Sequence, residues 1–120
     1  MKPDGIKDLE IIIKYCDRID HYLRKYGTDE DDFLDNIDFQ EGCAFCLIQI
    51  GEAVGRLPDE VKAFSKDTEW NEIKGMRNIL AHRYGTVWPT GIWQTITDDV
   101  PVLKDVCASI LESLMKRLGK

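Results

Sequence analysis

"IKDLEIIIKYCDRIDHYLRKYG", residues 6–27, places apolar side chains at Ile6, Leu9, Ile13, Cys16, Ile19, Leu23 and Tyr26. Steps of three and four return to one side of a coil with 3.6 residues per turn, so the stretch predicts five turns of amphipathic helix. Gly27 supplies its stop. The spacing continues through Phe33, Ile37, Cys43, Leu47, Ile50, Val54 and Leu57 to Pro58, which predicts one long second helix. Thr28 is its candidate cap, and the acids of "TDEDDF" (28–33) suit the positive end of a helix dipole. "PDEVKAF" (58–64) reads as one or two turns. Asp67 or Thr68 can cap a third long helix from about Glu69 to Tyr84, closed by Gly85. Beyond the turn-rich "GTVWPTGIW" (85–93) come a short helical piece near Trp93 to Thr97 and a last helix from about Pro101 to Leu118. No segment alternates like a strand. The expectation is an all-α fold, a bundle of four to five helices forming a single domain over residues 1–120.

Composition narrows the function classes. An apolar fraction of 43% beside a charged fraction of 32% is that of an ordinary globular protein. No apolar run approaches the ~18 residues needed to cross a bilayer, and "MKPDGIKDLE" (1–10) lacks the pattern of a signal peptide, so the expected location is the cytoplasm, away from membranes. Four cysteines in a reducing compartment read as buried small hydrophobes. Cys43 and Cys46 form a C-x-x-C, but no second pair accompanies it, and only His21 and His82 could complete a zinc shell. Neither a metal nor a cofactor is expected. The net charge of -6 argues against a broad nucleic-acid-coating surface, which needs Lys and Arg in excess along a face. Any anion site must be local.

Two helix-disfavouring glycines, Gly51 and Gly55 in "IGEAVG" (50–55), lie one turn apart. Each costs about 1 kcal/mol against alanine, which points to a backbone that another helix approaches closely, within the chain or from a second subunit.

"RNILAHRY" (77–84) carries the chemical signal. On a wheel of ~100° per residue with Arg77 at zero, Ile73, Leu80 and Met76 fall at roughly -40°, -60° and -100° and define a buried stripe. Arg77, Ala81, Lys74, Asn78, Asn71 and His82 span the arc from 0° to about 140°, and this helix puts no carboxylate there. Such a face attracts anions locally. Arg77 offers a permanent, bidentate cation for a phosphate, and His82 in the last turn can exchange a proton near neutrality. Asn78 can orient His82 or donate to an oxygen; Lys74 and Asn71 extend the face for a nucleic-acid strand. Together these are parts for cleaving RNA without a metal: a base for the 2′-hydroxyl proton and a cation for charge building on phosphorus. Dipole matching of a histidine and a plain surface arginine account for the same residues without catalysis, and Tyr84 fits half-buried packing. Arg77 and His82 diverge by about 140°, so a shared cleft needs two copies facing across a two-fold axis, which predicts a homodimer.

"MRNILAHRYG" (76–85), with "CLIQIGEAVGRL" (46–57) before it and "IWQTITDDVPVL" (92–103) after it, resembles the HepT-like branch of the HEPN superfamily. The pattern is an arginine, four residues, a histidine, one residue and a tyrosine, met by Arg77, His82 and Tyr84, with Asn78 as the frequent polar residue. Trp88 and Pro89 stand where the family usually has an acidic capping residue. The resemblance implies an up-down HEPN bundle that dimerises through the motif helix, and a metal-independent endoribonuclease acting as a toxin. It also implies an MntA-like nucleotidyltransferase antitoxin as partner, transferring AMP to the motif tyrosine, here Tyr84. The alternative reading is a non-catalytic helical subunit that binds substrate or nucleotide for a nucleotidyltransferase.

Overall fold

The computed structural model describes residues 5–83 and 89–119, without the side chains of residues 82 and 83. Its first helix, α1 (Ile6–Tyr26), ends where the periodicity predicts: Gly27 adopts a φ of 132° and its N–H donates to the Leu23 carbonyl at 3.0 Å. A left-handed φ of that size strains any residue with a Cβ, which is why glycine terminates the helix. The buried stripe runs through Ile6, Leu9, Ile12, Cys16 and Ile19. Ile12, rather than the expected Ile13, is the fully buried isoleucine of that turn.

The expected single second helix is two. α2 (Glu30–Leu34) follows Asp29, not Thr28, at the cap position, and α3 (Ile37–Arg56) starts afresh after Asn36. The Asn36 side-chain oxygen accepts from the Phe39 N–H at 3.1 Å, and Gln40 Nε2 donates to the carbonyls of Phe33 (2.9 Å) and Leu34 (3.1 Å). One amide starts α3 while the other satisfies the orphan end of α2, so a break that apolar spacing ignores is written in Asn36 and Gln40. α4 (Asp59–Lys62) is one turn, and α5 (Trp70–Arg83) is the motif helix. Trp70 anchors its start, donating from Nε1 to the carbonyls of Ser65 (3.0 Å) and Lys62 (3.2 Å).

α6 (Pro89–Gln94), a π-helical turn (Thr95–Asp99) and α7 (Val100–Gly119) form one helical rod. The last helix therefore begins before Pro101, and the piece expected near Trp93 starts at Pro89. α1 packs on α3 and α7, and α3 carries α5 on its other flank. No strand occurs among the described residues. The all-α bundle stands as expected.

Aromatic packing ties the joint between α2 and α3 to α6. Phe33 stands edge-on to Phe39 at 4.9 Å, and Trp93 lies 5.5 Å from Phe33. All four cysteines are free and buried. Desolvation pushes the thiols of Cys16, Cys43 and Cys107 up to about 12 and that of Cys46 to about 11. Cys43 and Cys46 are core residues, as the C-x-x-C reading anticipated.

Candidate functional site: an arginine seated in a glycine seam

Gly51 decides where α5 lies. A Cβ built on it would collide with Arg77 Cβ and come within 3.0 Å of Arg77 Cγ and 3.2 Å of the Ile73 carbonyl oxygen. Neither Cβ nor carbonyl can swing aside, so the two helices reach this separation only because residue 51 has no side chain. At Gly55, one turn on, the same construction meets only the end of the Lys74 side chain, nearest at 3.7 Å. The close approach inferred from "IGEAVG" is thus made within the chain at Gly51, while at Gly55 the lysine stem passes at ordinary contact distance.

This contact moves Arg77 relative to the wheel. Among the described side chains of α5, Trp70 and Leu80 are buried, and Ile73, Met76 and Arg77 are half-buried. Arg77 belongs to the packed seam, with its stem on Gly51 and 26% of its side chain exposed. Lys74, Asn71, Asn78 and Ala81 are exposed, in agreement with an outward polar arc. Arg77 Nη1 donates to Asn78 Oδ1 at 2.8 Å, so the asparagine engages the arginine.

The arc has a carboxylate after all, delivered by the neighbouring helix. Glu52 Oε1 lies 2.8 Å from Arg77 Nε. Nε is buried, yet its N–H does not point at that oxygen, so the pair is held by charge without a hydrogen bond. A wheel drawn on α5 alone could not find Glu52. The signal available was its place beside Gly51, since the residue following a close-approach glycine sits at the seam.

His82 has its backbone in the last turn of α5; its imidazole and the whole of Tyr84 lie outside the described residues. A sizeable concavity lies elsewhere. A cavity of about 440 Å³ opens on the opposite side of α5, floored by Leu47, Ile50, Ile73 and Met76 and lined also by Asp67, Glu69, Glu72 and Asp99, with no basic residue. Four carboxylates around an apolar floor repel a phosphate, so this cavity is not the anion site. Among the described residues no group of three or more His, Cys, Asp or Glu is placed to hold a metal, and no helix is long and apolar enough to cross a membrane.

A family profile described as Ribonuclease HepT-like matches residues 12–110, which include α3, α5 and the seam between them. The chain belongs to the HepT-like family. A protein of Caldanaerobacter subterraneus subsp. tengcongensis whose name proposes an RNase is 33% identical over 104 residues, covering 87% of this chain and 91% of its own. One of Thermococcus cleftensis named "Probable ribonuclease HepT" is 31% identical over 96 residues, 80% of this chain and 86% of its own. A relative in Methanocaldococcus jannaschii, its name again proposing an RNase, is 27% identical over 106 residues, 88% of this chain and 90% of its own. No solved structure matches significantly. Within this HepT-like chain, the arginine of the motif is the residue that the α3–α5 seam holds.

Proposed function

We propose that this chain is a metal-independent endoribonuclease, the toxin of a toxin–antitoxin pair, working as a homodimer. The observation that carries the reading is Arg77, seated in the α3–α5 seam of a HepT-like chain with its head bonded to the exposed Asn78, on a helix whose Lys74 and Asn71 are also exposed. Its guanidinium would receive a phosphodiester and stabilise the extra charge of a five-coordinate phosphorus. Asn78 holds one arm of that fork, and Lys74 and Asn71 would contact the flanking strand. His82 acts as general base: it takes the 2′-hydroxyl proton, the oxygen attacks phosphorus, and the bond to the 5′-oxygen breaks. A proton delivered to that oxygen by the histidine of a second copy leaves a 2′,3′-cyclic phosphate and a 5′-hydroxyl, with no metal in the balance.

Regulation follows from the position of Tyr84 after the motif. An MntA-like nucleotidyltransferase partner would transfer AMP to its hydroxyl, placing negative charge and bulk close to the site in opposition to incoming RNA. The competing reading, a non-catalytic subunit that presents substrate or nucleotide to a nucleotidyltransferase, draws on the net charge of -6 and on the carboxylate that partly offsets Arg77.

The test compares RNA cleavage by the purified protein, in chelator, with that by His82→Ala and Arg77→Ala. Each substitution should lower the rate by on the order of 100-fold or more, the contribution of a positioned acid–base group or oxyanion donor. Equal rates for all three, or cleavage abolished by chelator, would remove the proposal. Intact mass of the chain co-expressed with its genomic neighbour reads out adenylation, and Tyr84→Phe should abolish any added AMP.

A further inference from the structure

The six residues "IGEAVG" perform two tasks on one turn of α3. Gly51 gives up its side chain so that Arg77 can seat against the helix, and Glu52, the next residue, turns a carboxylate to the root of the same guanidinium. The stem packs at Gly51, Nε lies 2.8 Å from the Glu52 carboxylate in a charge contact, and Nη1 donates to Asn78, so three contacts restrict the fork.

As a clamp between helices the ion pair is weak. Glu52 is 43% exposed, and half-solvated pairs add little to stability. As an electrostatic element it is costly to an anion site, because it subtracts a charge where a phosphate would bind. A feature that contributes little stability and lowers the local potential is accounted for by what remains, the aim of the guanidinium.

We infer that Glu52 is a positioning residue: it orients the Arg77 fork toward a phosphodiester and acts on the reaction through Arg77 alone. The inference rests on the ribonuclease reading above and deepens it. A charge held in place before the strand arrives is worth most in the transition state, where geometry is strictest.

Glu52→Gln keeps the size and an oxygen at this place and removes the charge. The experiment measures kcat and KM for RNA cleavage, the melting temperature, and affinity for a 2′-deoxy oligonucleotide that cannot be cut. The expected result is a kcat lowered about tenfold with KM unchanged or lower, and oligonucleotide binding equal or tighter, because misaiming costs the transition state while loss of the acid favours the ground state. In an Arg77→Lys background, which lacks the planar fork, Glu52→Gln should change kcat no further. A kcat unchanged or raised by Glu52→Gln overturns the inference and leaves the ribonuclease reading standing. So does a variant whose only change is a lower melting temperature, since that marks a structural clamp. If the wild type binds the oligonucleotide but cuts no RNA, the ribonuclease reading fails, and the side-chain Nε–H resonance of Arg77 decides the aim: slow guanidinium rotation in the wild type that becomes fast in Glu52→Gln supports it, and equal rotation in both overturns it. A wild type that neither cuts nor binds overturns both.

Discussion

At the scale of single residues, Gly51 and Gly55 look alike in the sequence and differ in the structure. Gly51→Ala would drive a Cβ into Arg77 Cβ and against the Ile73 carbonyl, atoms that cannot move without shifting α5. We expect a loss of about 1–3 kcal/mol, the usual cost of overpacking, with a fall in RNA cleavage because Arg77 moves with its helix. Gly55→Ala meets only the flexible end of Lys74 at 3.7 Å, so it should gain up to about 1 kcal/mol from helix propensity and leave cleavage intact. Urea unfolding of the two variants side by side checks both signs. Helical spacing could pick out both glycines as anomalies, but only the packed seam ranks them. For the same reason Arg77, His82 and Asn78 were legible as a motif, whereas Glu52 was not: its role depends on which turn of α3 faces α5, and that is a tertiary relation.

At the scale of elements, the helices whose ends are set by local chemistry were easy to place. α1 stops at Gly27 because the backbone there needs a left-handed residue, and no tertiary knowledge is required. The break between α2 and α3 is invisible to apolar spacing because Phe33, Ile37 and Cys43 carry the stripe straight across it, while the capping role of Asn36 depends on a single side-chain bond to the Phe39 N–H. Removing that bond should be measurable. Asn36→Ala is expected to cost about 1 kcal/mol, and Asn36→Asp to restore most of it, since aspartate caps as well as asparagine. Thermal melts followed by circular dichroism would show the pair. Equal stability of Asn36→Ala and wild type would mean that Gln40 and the Phe33–Phe39–Trp93 packing hold the joint without the cap.

At the scale of the whole molecule, four thiols spread over α1, α3 and α7 report on the core. Their proton affinity is raised by burial to about 11 at Cys46 and about 12 at Cys16, Cys43 and Cys107, against roughly 8.5 in an unfolded chain. Above pH ~8.5 the unfolded chain releases protons that the folded chain keeps, so the unfolded state binds fewer protons and stability falls as pH rises. The full contribution is present below that pH and is lost progressively toward 11–12. The midpoint of urea unfolding should therefore be lower at pH 10 than at pH 7, and a disulfide reagent at pH 8 should modify the cysteines no faster than the bundle opens. The π-turn at Thr95–Asp99 has a different consequence for the long final rod. Ile92 and Val100 are both buried though eight residues apart, a separation that plain α winding would set about 80° out of phase. The wide turn absorbs one residue, so the two behave as if seven apart and join the heptad continued by Cys107 and Leu114. One residue within that turn is thus surplus to the winding: a chain that deleted it could revert to regular α-helix with both stripes still in register on the core.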